Sequence, residues 1–473
     1  MRHFSYRRIV AFLTIIGVLS GAGCTKGPDT ATIEASKPKS LKIWAVIDDQ
    51  DSYGSLLADY QKLHPHISLD FRRFRLEEYE DALVNAFAED RGPDIFMVHN
   101  TWIGKYTPKI SPMPAYTSMV YKFVSGGYTN RTETTELRQE KSLTLKDLKS
   151  NYPDTVYNDM VRRVNTGTIM EDKIMAVPMS VDTLAMYVNK DLLNAAGIPT
   201  VPDTWTNFQA TMKRLLKVDA DNNILQSGTA MGTSNNVERA TDILSVIMMQ
   251  NGAVMTAEDG SPSYARMPEA LGATRDQTPA AQALRFYLDF ANPDKDIYSW
   301  NSTMPDSLNA FVQGRVAFFF GYAYHLPTIK ALAPKLNLTI AKLPQIEGNP
   351  VVNYANYWAW TVSKNSKNTE TAWNFLNYLI QQDNEQKYLD AAKRPAAHKA
   401  LIEKQLESED MGVFASQILT SRSWYRGADP TTMESAFSSM IDEGAKASDE
   451  QLQSIINRSQ EVVGQTMYLP PNP

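Results

Sequence analysis

Between positions 41 and 100 the sequence switches repeatedly between strand-type and helix-type patterning, and this alternation restricts the fold more than any other feature. Residues 41–47, LKIWAVI, form an apolar run followed by the polar DDQDSYGS. Leu56, Leu57, Tyr60 and Leu63 then recur at helical spacing, which predicts a helix over 52–63 ended by Pro65. A second strand is predicted at 67–71, then a helix over 77–90 with Tyr79, Leu83, Ala86 and Phe87 inward and Gly92 after it, then a third strand at 95–99. Such an order gives an α/β fold with parallel strands and right-handed crossovers. Open sheets of this kind bind ligands beyond the carboxyl ends of their strands. Asp48 and Asp49 follow the first strand, and Asn100 and Trp102 follow the third, so all four are candidate ligand contacts. A calcium loop at 48–60 is excluded because Tyr60 stands where the bidentate Glu belongs. His99 has no nucleophile or second ligand nearby in sequence and reads as a structural histidine.

A chain of 473 residues exceeds what one core usually supports, so two lobes are expected. Its start carries Arg2, Arg7 and Arg8, then an apolar stretch over 9–19 about half as long as a bilayer requires, the pattern of a signal peptide. The single cysteine, Cys24, follows Gly21-Ala22-Gly23 and resembles a bacterial lipidation site, although Gly21 replaces the usual apolar residue. Removing residues 1–23 takes away three arginines and moves the formal charge from −6 to −9. That sign disfavours nucleic acid as a partner. No cysteine is left for disulfides or cysteine-based zinc sites, and no metal or cofactor site is expected. Residues 24–40, rich in Lys, Thr, Ser and Pro, read as a flexible tether.

Residues 105–143 are polar and weakly periodic, which predicts a surface insertion, and 145–164 read as a helix. A strand over 183–188 leads to a short helical turn ending at Gly197, and Thr204 is placed to cap the next helix. Asp219 to Asn223 is a turn, since an EF-hand would need a Gly and a closing Glu that are missing. A helix is predicted over 233–250; Asn235 precedes its apolar face, where it would either cap the helix or touch ligand. Further helices are predicted over 280–290 and 369–380. Tyr354, Trp358 and Trp360 alternate on one strand face with Tyr357 on the other, so the ring that meets a ligand is open between them.

Several segments resemble the maltose-binding-like family of extracellular solute-binding proteins. They are Gly92-Pro93-Asp94 with its strand, Pro178-x-x-Val181-Asp182-x-Leu184 running on to Asn189-Lys190-Asp191-Leu192 and Pro202-x-Thr204-Trp205, Phe311-x-x-Gly314-Arg315-x-Ala317, and the aromatic run at 353–364 before Ala372-Trp373. The resemblance spans about 41–460; the 105–165 segment departs from the family length. It implies a two-lobe periplasmic-binding-protein-like fold of parallel-rich mixed sheets flanked by helices, with a hinge. The implied lobes are 41–181 with 340–392, and 182–339 with 393–473. It also implies that Asp182 lies at the cleft floor, that Tyr322 carries a ring into the cleft, that 338–344 is a second crossover and that Arg394 to Ala397 is a third hinge. Tyr357, Trp358 and Trp424 complete the candidate contacts.

The resemblance implies a monomeric receptor without catalytic residues, anchored through lipid on Cys24, that passes a small solute to the membrane permeases of an ATP-driven importer. Carboxylates, amides and aromatic faces suit the vicinal hydroxyls and apolar side of a sugar, which makes carbohydrate the favoured ligand. An acidic cleft would equally suit a cation, and the sequence does not separate the two. The other function classes are a secreted glycoside hydrolase using Asp182 with Asp48 or Asp49, and a surface adhesin without a transport role.

Overall fold

The computed structural model describes residues 29–125, 132–165, 167, 169–221, 223–272 and 276–467. Cys24 and the leader 1–23 lie outside the described residues. Within 24–40, read as tether, Thr30–Ala35 is a short helix whose first turn is held by the Asp29 carboxylate, which accepts from the Thr32 amide at 2.7 Å.

Among the described residues the strands form two larger sheets and a small one between them. The first runs Trp358–Val362, Ile95–His99, Lys39–Ala45, Ile67–Arg73, with the last three parallel and Trp358–Val362 antiparallel to Ile95–His99. The helices Gln50–Leu63 and Leu76–Ala88 make the crossovers, and their Leu56, Tyr60, Tyr79 and Leu83 are fully buried. The second sheet is mixed: Lys217–Val218, Ile224–Thr229, Val316–Gly321, Ala185–Asn189, Leu338–Ala341. Helix Trp205–Leu215 covers it, opened by Thr204, whose hydroxyl accepts from the Asn207 amide at 3.2 Å.

Each sheet carries its own hydrophobic core. The chain changes core between Val181 and Leu184, and again around Tyr354 and Ala355. At those points Asp182–Thr183 pairs with Asn353–Asn356, which also pairs with Ser421–Arg422. This three-stranded strip is where the two lobes join.

Several sequence expectations change. The polar stretch after residue 105 contains a long hairpin, Tyr116–Ser125 with Thr132–Lys141. Its strands are mostly polar, so the apolar alternation that marks a strand is weak. Residues 145–164 are two short helices, Leu145–Asn151 and Asp154–Met160, split at Pro153, followed by a strand, Val161–Asn165, paired with Met170–Ile174. The helix predicted over 233–250 begins only at Ala240, because Ser234 to Arg239 form turns and Arg239 is left-handed, φ 55°. The segment 338–344 is not a crossover: Leu338–Ala341 is the edge strand of the second sheet, and the chain crosses later, at Asn353–Asn356. Arg394 to Ala397 stay with the first core, where Ala396 and Ala397 are fully buried. Residues 343–354 likewise pack with the second core through Leu343, Val352 and Tyr354.

Candidate ligand-binding cleft

A narrow cavity of about 40 Å³ lies where the two cores meet. The first sheet lines it with Met97, Trp358 and Trp360, the second lobe with Tyr324, and the joining strip with Asp182 and Asn356.

Asp48 is delivered by an unusual backbone. The Asp48 amide donates to the Val46 carbonyl at 2.8 Å, closing a γ-turn around Ile47, whose φ is 71°. A β-branched residue there is strained, and the surrounding packing must hold it. The turn points the Asp48 carboxylate into the cavity, where it accepts from Tyr388 Oη at 2.7 Å and from Arg394 Nε and Nη2 at 3.0 and 2.8 Å. Burial opposes the charge on Arg394, and the Asp48 carboxylate more than offsets this, so the guanidinium is held firmly protonated. Asp49 is turned outward and pairs with Arg73 on the surface.

Asp182 reaches the cavity too, but its oxygens serve the backbone. Oδ1 accepts from the Thr183 and Ala323 amides at 2.8 and 3.0 Å, and Oδ2 from the Tyr324 amide at 3.3 Å. Burial pushes its carboxyl up to about 7, against the pull of those amides and of Arg394. Asp182 therefore ties the joining strip to the loop after Val316–Gly321. Neither aspartate is left with the free oxygens that acid–base work on a glycosidic bond requires.

Six of the fourteen residues lining the cavity are aromatic. Tyr53 stacks on Tyr388, centroids 4.9 Å apart at 23°, and meets Trp360 edge-on at 5.6 Å. Trp358 is backed by Trp102, edge-on at 5.1 Å, and Trp102 stacks in turn on Tyr79 and Tyr106. Trp102 thus supports the wall without lining the cavity.

The remaining candidates divide. Tyr357 lines the cavity, yet its hydroxyl donates to Asp159 at 2.8 Å. Asn100 is buried and donates to the same carboxylate at 3.4 Å. Tyr322 is buried with its hydroxyl on Asp242 at 2.7 Å, and the ring that reaches the cavity is its neighbour Tyr324, stacked on it at 5.6 Å. Asn235 is exposed, while Asn236 ties down a loop through the Asn301 and Met304 carbonyls. Trp424 is buried in the second core with its Nε1 on Ser245 at 3.2 Å. His99, pushed down to about 4 by burial, bridges Thr101 and Asn356 as a neutral ring. Among the described residues no group of three or more His, Cys, Asp or Glu is placed to hold a metal ion.

Sequence reasoning missed Tyr53, Tyr388, Arg394 and Asp159. Trp360 was legible, since alternation puts it on the face of Trp358. Arg394 was not, because its partner lies more than 300 positions away in the chain.

A family model described as bacterial extracellular solute-binding protein matches residues 136–386. The galactooligosaccharide-binding protein of Bacillus subtilis (strain 168) is 22% identical over 388 residues, 81% of this chain and 78% of that protein. A relative from Brucella abortus (strain 2308) is 26% identical over 217 residues, 46% of this chain, so the chain spans about half of that protein's length, 49%. Among solved structures, a cyclo/maltodextrin-binding protein complexed with maltotetraose superposes with a TM-score of 0.68 at 15% identity, covering 92% of this chain and 99% of that one. That likeness is one of fold.

Proposed function

Because the chain belongs to the bacterial extracellular solute-binding proteins, we propose that it captures a sugar or oligosaccharide in the cleft between its lobes and hands it to an ATP-driven importer. The observation that carries this reading is the cavity itself, walled by Trp358, Trp360, Tyr53 and Tyr324 and drawn from both cores. Aromatic faces cover the apolar side of a sugar ring, and the polar groups between them address its hydroxyls. Relatives named for galactooligosaccharides and for multiple sugars support the ligand class.

The cycle follows from the join. Asp182–Thr183 and Asn353–Asn356 are the paired segments through which the chain passes between the cores, and they act as a hinge, so rotation opens the cleft and a bound solute favours the closed arrangement. The lobes are assigned as 41–181 with 355–402, and 184–354 with 424–467, the segment 411–418 contributing side chains to both cores, which shifts the expected boundaries at 340 and 393. Delivery by a monomer to membrane permeases, and anchoring through lipid on Cys24, complete the proposal; no helix among the described residues is long and apolar enough to cross a membrane.

The test is a melting screen of the mature chain against maltotetraose, mannobiose and galacto-oligosaccharides. A saturable rise in Tm is expected, since a ligand that binds only the native state adds RT ln(1 + [L]/Kd) to stability. Unchanged melting with all of them contradicts the carbohydrate reading. For the anchor, Cys24→Ser is expected to release the protein into the soluble fraction, and unchanged membrane retention counts against lipidation.

A further inference from the structure

The first lobe holds a second cavity, of about 520 Å³, far larger than the closed cleft and sharing no lining residue with it. It opens between the hairpin of Tyr116–Ser125 with Thr132–Lys141, the end of helix Gln50–Leu63 and helix Thr369–Leu379. Helix Gln50–Leu63 reaches both sites: Tyr53 lines the cleft, and Tyr60, about 10 Å further along the axis, lines the second cavity. The hairpin lies within the 105–165 segment, so part of this wall comes from residues outside the family pattern.

Two half-buried carboxylates line the cavity, and neither forms an ion pair with a described residue. Glu140 accepts from Tyr121 Oη and, at 2.7 Å, from Asn374 Nδ2, both neutral donors. Asp147 is bonded by Thr144, whose hydroxyl donates at 2.6 Å. Lys141 and Lys146 attract Asp147 from beyond ion-pair distance, and both are exposed to solvent. The charge left uncompensated in the cavity is therefore that of Glu140, which is near enough to act on His64.

Two further side chains line the cavity while being only 1% exposed, His64 and Tyr152. His64 Nδ1 lies 3.1 Å from the Val120 carbonyl, which can only accept, so Nδ1 carries the ring proton and Nε2 presents a lone pair. Burial lowers the pKa of this ring and keeps it neutral. Neither His64 Nε2 nor Tyr152 Oη has a hydrogen-bond partner among the described residues. Polar atoms so deeply placed are rarely left unpaired, and here both border open space.

A carboxylate without a cation, a free imidazole lone pair and tyrosine faces together suit a positively charged donor. A neutral polyol would satisfy the lone pairs but leave the Glu140 charge unmatched, and an anion would be repelled by it. We propose that this cavity is a second binding site, for a small primary amine whose ammonium group donates to Glu140 and His64 Nε2 while the rings of Tyr152 and Tyr378 cover its carbon chain. This site is separate from the cleft and does not depend on what the cleft binds.

The experiment is calorimetric titration of the mature chain with cadaverine and with 1,5-pentanediol, which replaces each ammonium by a hydroxyl on the same carbon chain. Physiological ionic strength screens non-specific attraction to an acidic protein. Cadaverine is expected to saturate at one per chain, with the diol weaker by about tenfold or more. Glu140→Gln, which keeps an acceptor and removes the charge, should weaken cadaverine by about tenfold or more, and Tyr152→Phe should weaken it to a smaller extent. Both variants should bind the cleft's sugar with native affinity, since neither residue lines the cleft. Absence of saturable cadaverine binding, equal affinity for the diol, or native cadaverine affinity in Glu140→Gln overturns the proposal. Loss of sugar and cadaverine binding together in a folded Glu140→Gln overturns the separateness of the two sites. The diol comparison needs only the native chain, so it decides even where a variant folds poorly.

Discussion

Asp159 and Ser423 join the two lobes through a buried hydrogen bond of 2.6 Å. Asp159 stands on Asp154–Met160, whose Val156 and Met160 are in the first core, and Ser423 directly precedes Trp424 of the second. The carboxylate is fully buried and accepts as well from Tyr357 and, at 3.2 Å, from Arg426 Nη2. Opening the cleft would break the Ser423 and Arg426 bonds while leaving Tyr357 and Asn100 in place. Asp159 itself does not line the cavity, and it reaches the wall only through Tyr357.

Removing one donor to a buried charged group costs about 1.5 kcal/mol, which is about tenfold in an equilibrium constant. Ser423→Ala is expected to weaken ligand binding by up to about that factor, mainly through faster release. In small-angle scattering the unliganded variant should be more expanded than the native chain. Equal affinity and equal radius of gyration in the two would show that Asp159 does not latch the lobes.

Gly104 marks a second closure contact. A Cβ there would collide with the Gly427 carbonyl and lie 2.5 Å from that of Arg426, both on the segment leading from Trp424. These are backbone atoms with little freedom to yield. Gly104→Ala should leave melting of the ligand-free chain close to native, because an opened cleft relieves the clash, yet lower ligand affinity tenfold or more. Titration calorimetry reads the affinity, and retained affinity would mean that the two segments part easily in the bound state.

Asp48 and Arg394 form a pair that is costly to break from one side. Arg394→Met leaves a buried carboxylate uncompensated and should reduce stability by about 3 kcal/mol or more, with much of that recovered in the double variant Asp48→Asn, Arg394→Met. Urea unfolding of the four proteins of the cycle gives the coupling energy. Additive losses would mean that the pair does not act as a unit.

Glu385 is fully buried and holds the amides of Ala397 and His398 at 3.1 and 2.9 Å through one oxygen, while Oε2 has no partner. Burial pushes its carboxyl up to about 8, against the pull of those two amides. An acid whose pKa is higher folded than unfolded contributes stability below its unfolded pKa, about 4.3, and loses it as pH rises through the folded value. The native chain should therefore weaken between about pH 4 and 8 by an amount on the order of a few kcal/mol from this group. Glu385→Gln keeps an acceptor for both amides and cannot ionise, so its melting temperature should fall less from pH 5 to pH 8. Parallel Tm profiles for the two proteins would contradict the assignment.

What the sequence disclosed follows from how far apart the interacting residues lie. The first sheet was readable because its strands and crossover helices alternate within about sixty residues, and Thr204 capped its helix as a local rule requires. Asp48 and Asp182 could be placed near strand ends for the same reason. Their neighbours in space could not, since Tyr388 and Arg394 meet Asp48 from the far end of the chain. The resemblance placed a crossover at 338–344, whereas Leu338–Ala341 pairs with Ala185–Asn189, a partner that local pattern does not reveal. Asp159 was hidden because Pro153 divides what reads as one helix, and nothing nearby in sequence distinguishes its carboxylate from a solvated one.

The most direct test is scattering from the full mature chain titrated with a neutral oligosaccharide, with binding heat recorded on the same samples. Saturation at one ligand per chain, with a radius of gyration that is smallest in the bound state and a sugar recovered intact, is the expected result. Heat without saturation, release of reducing ends, or a shape that no neutral sugar alters while the ligand demonstrably binds would contradict capture by closure of the lobes.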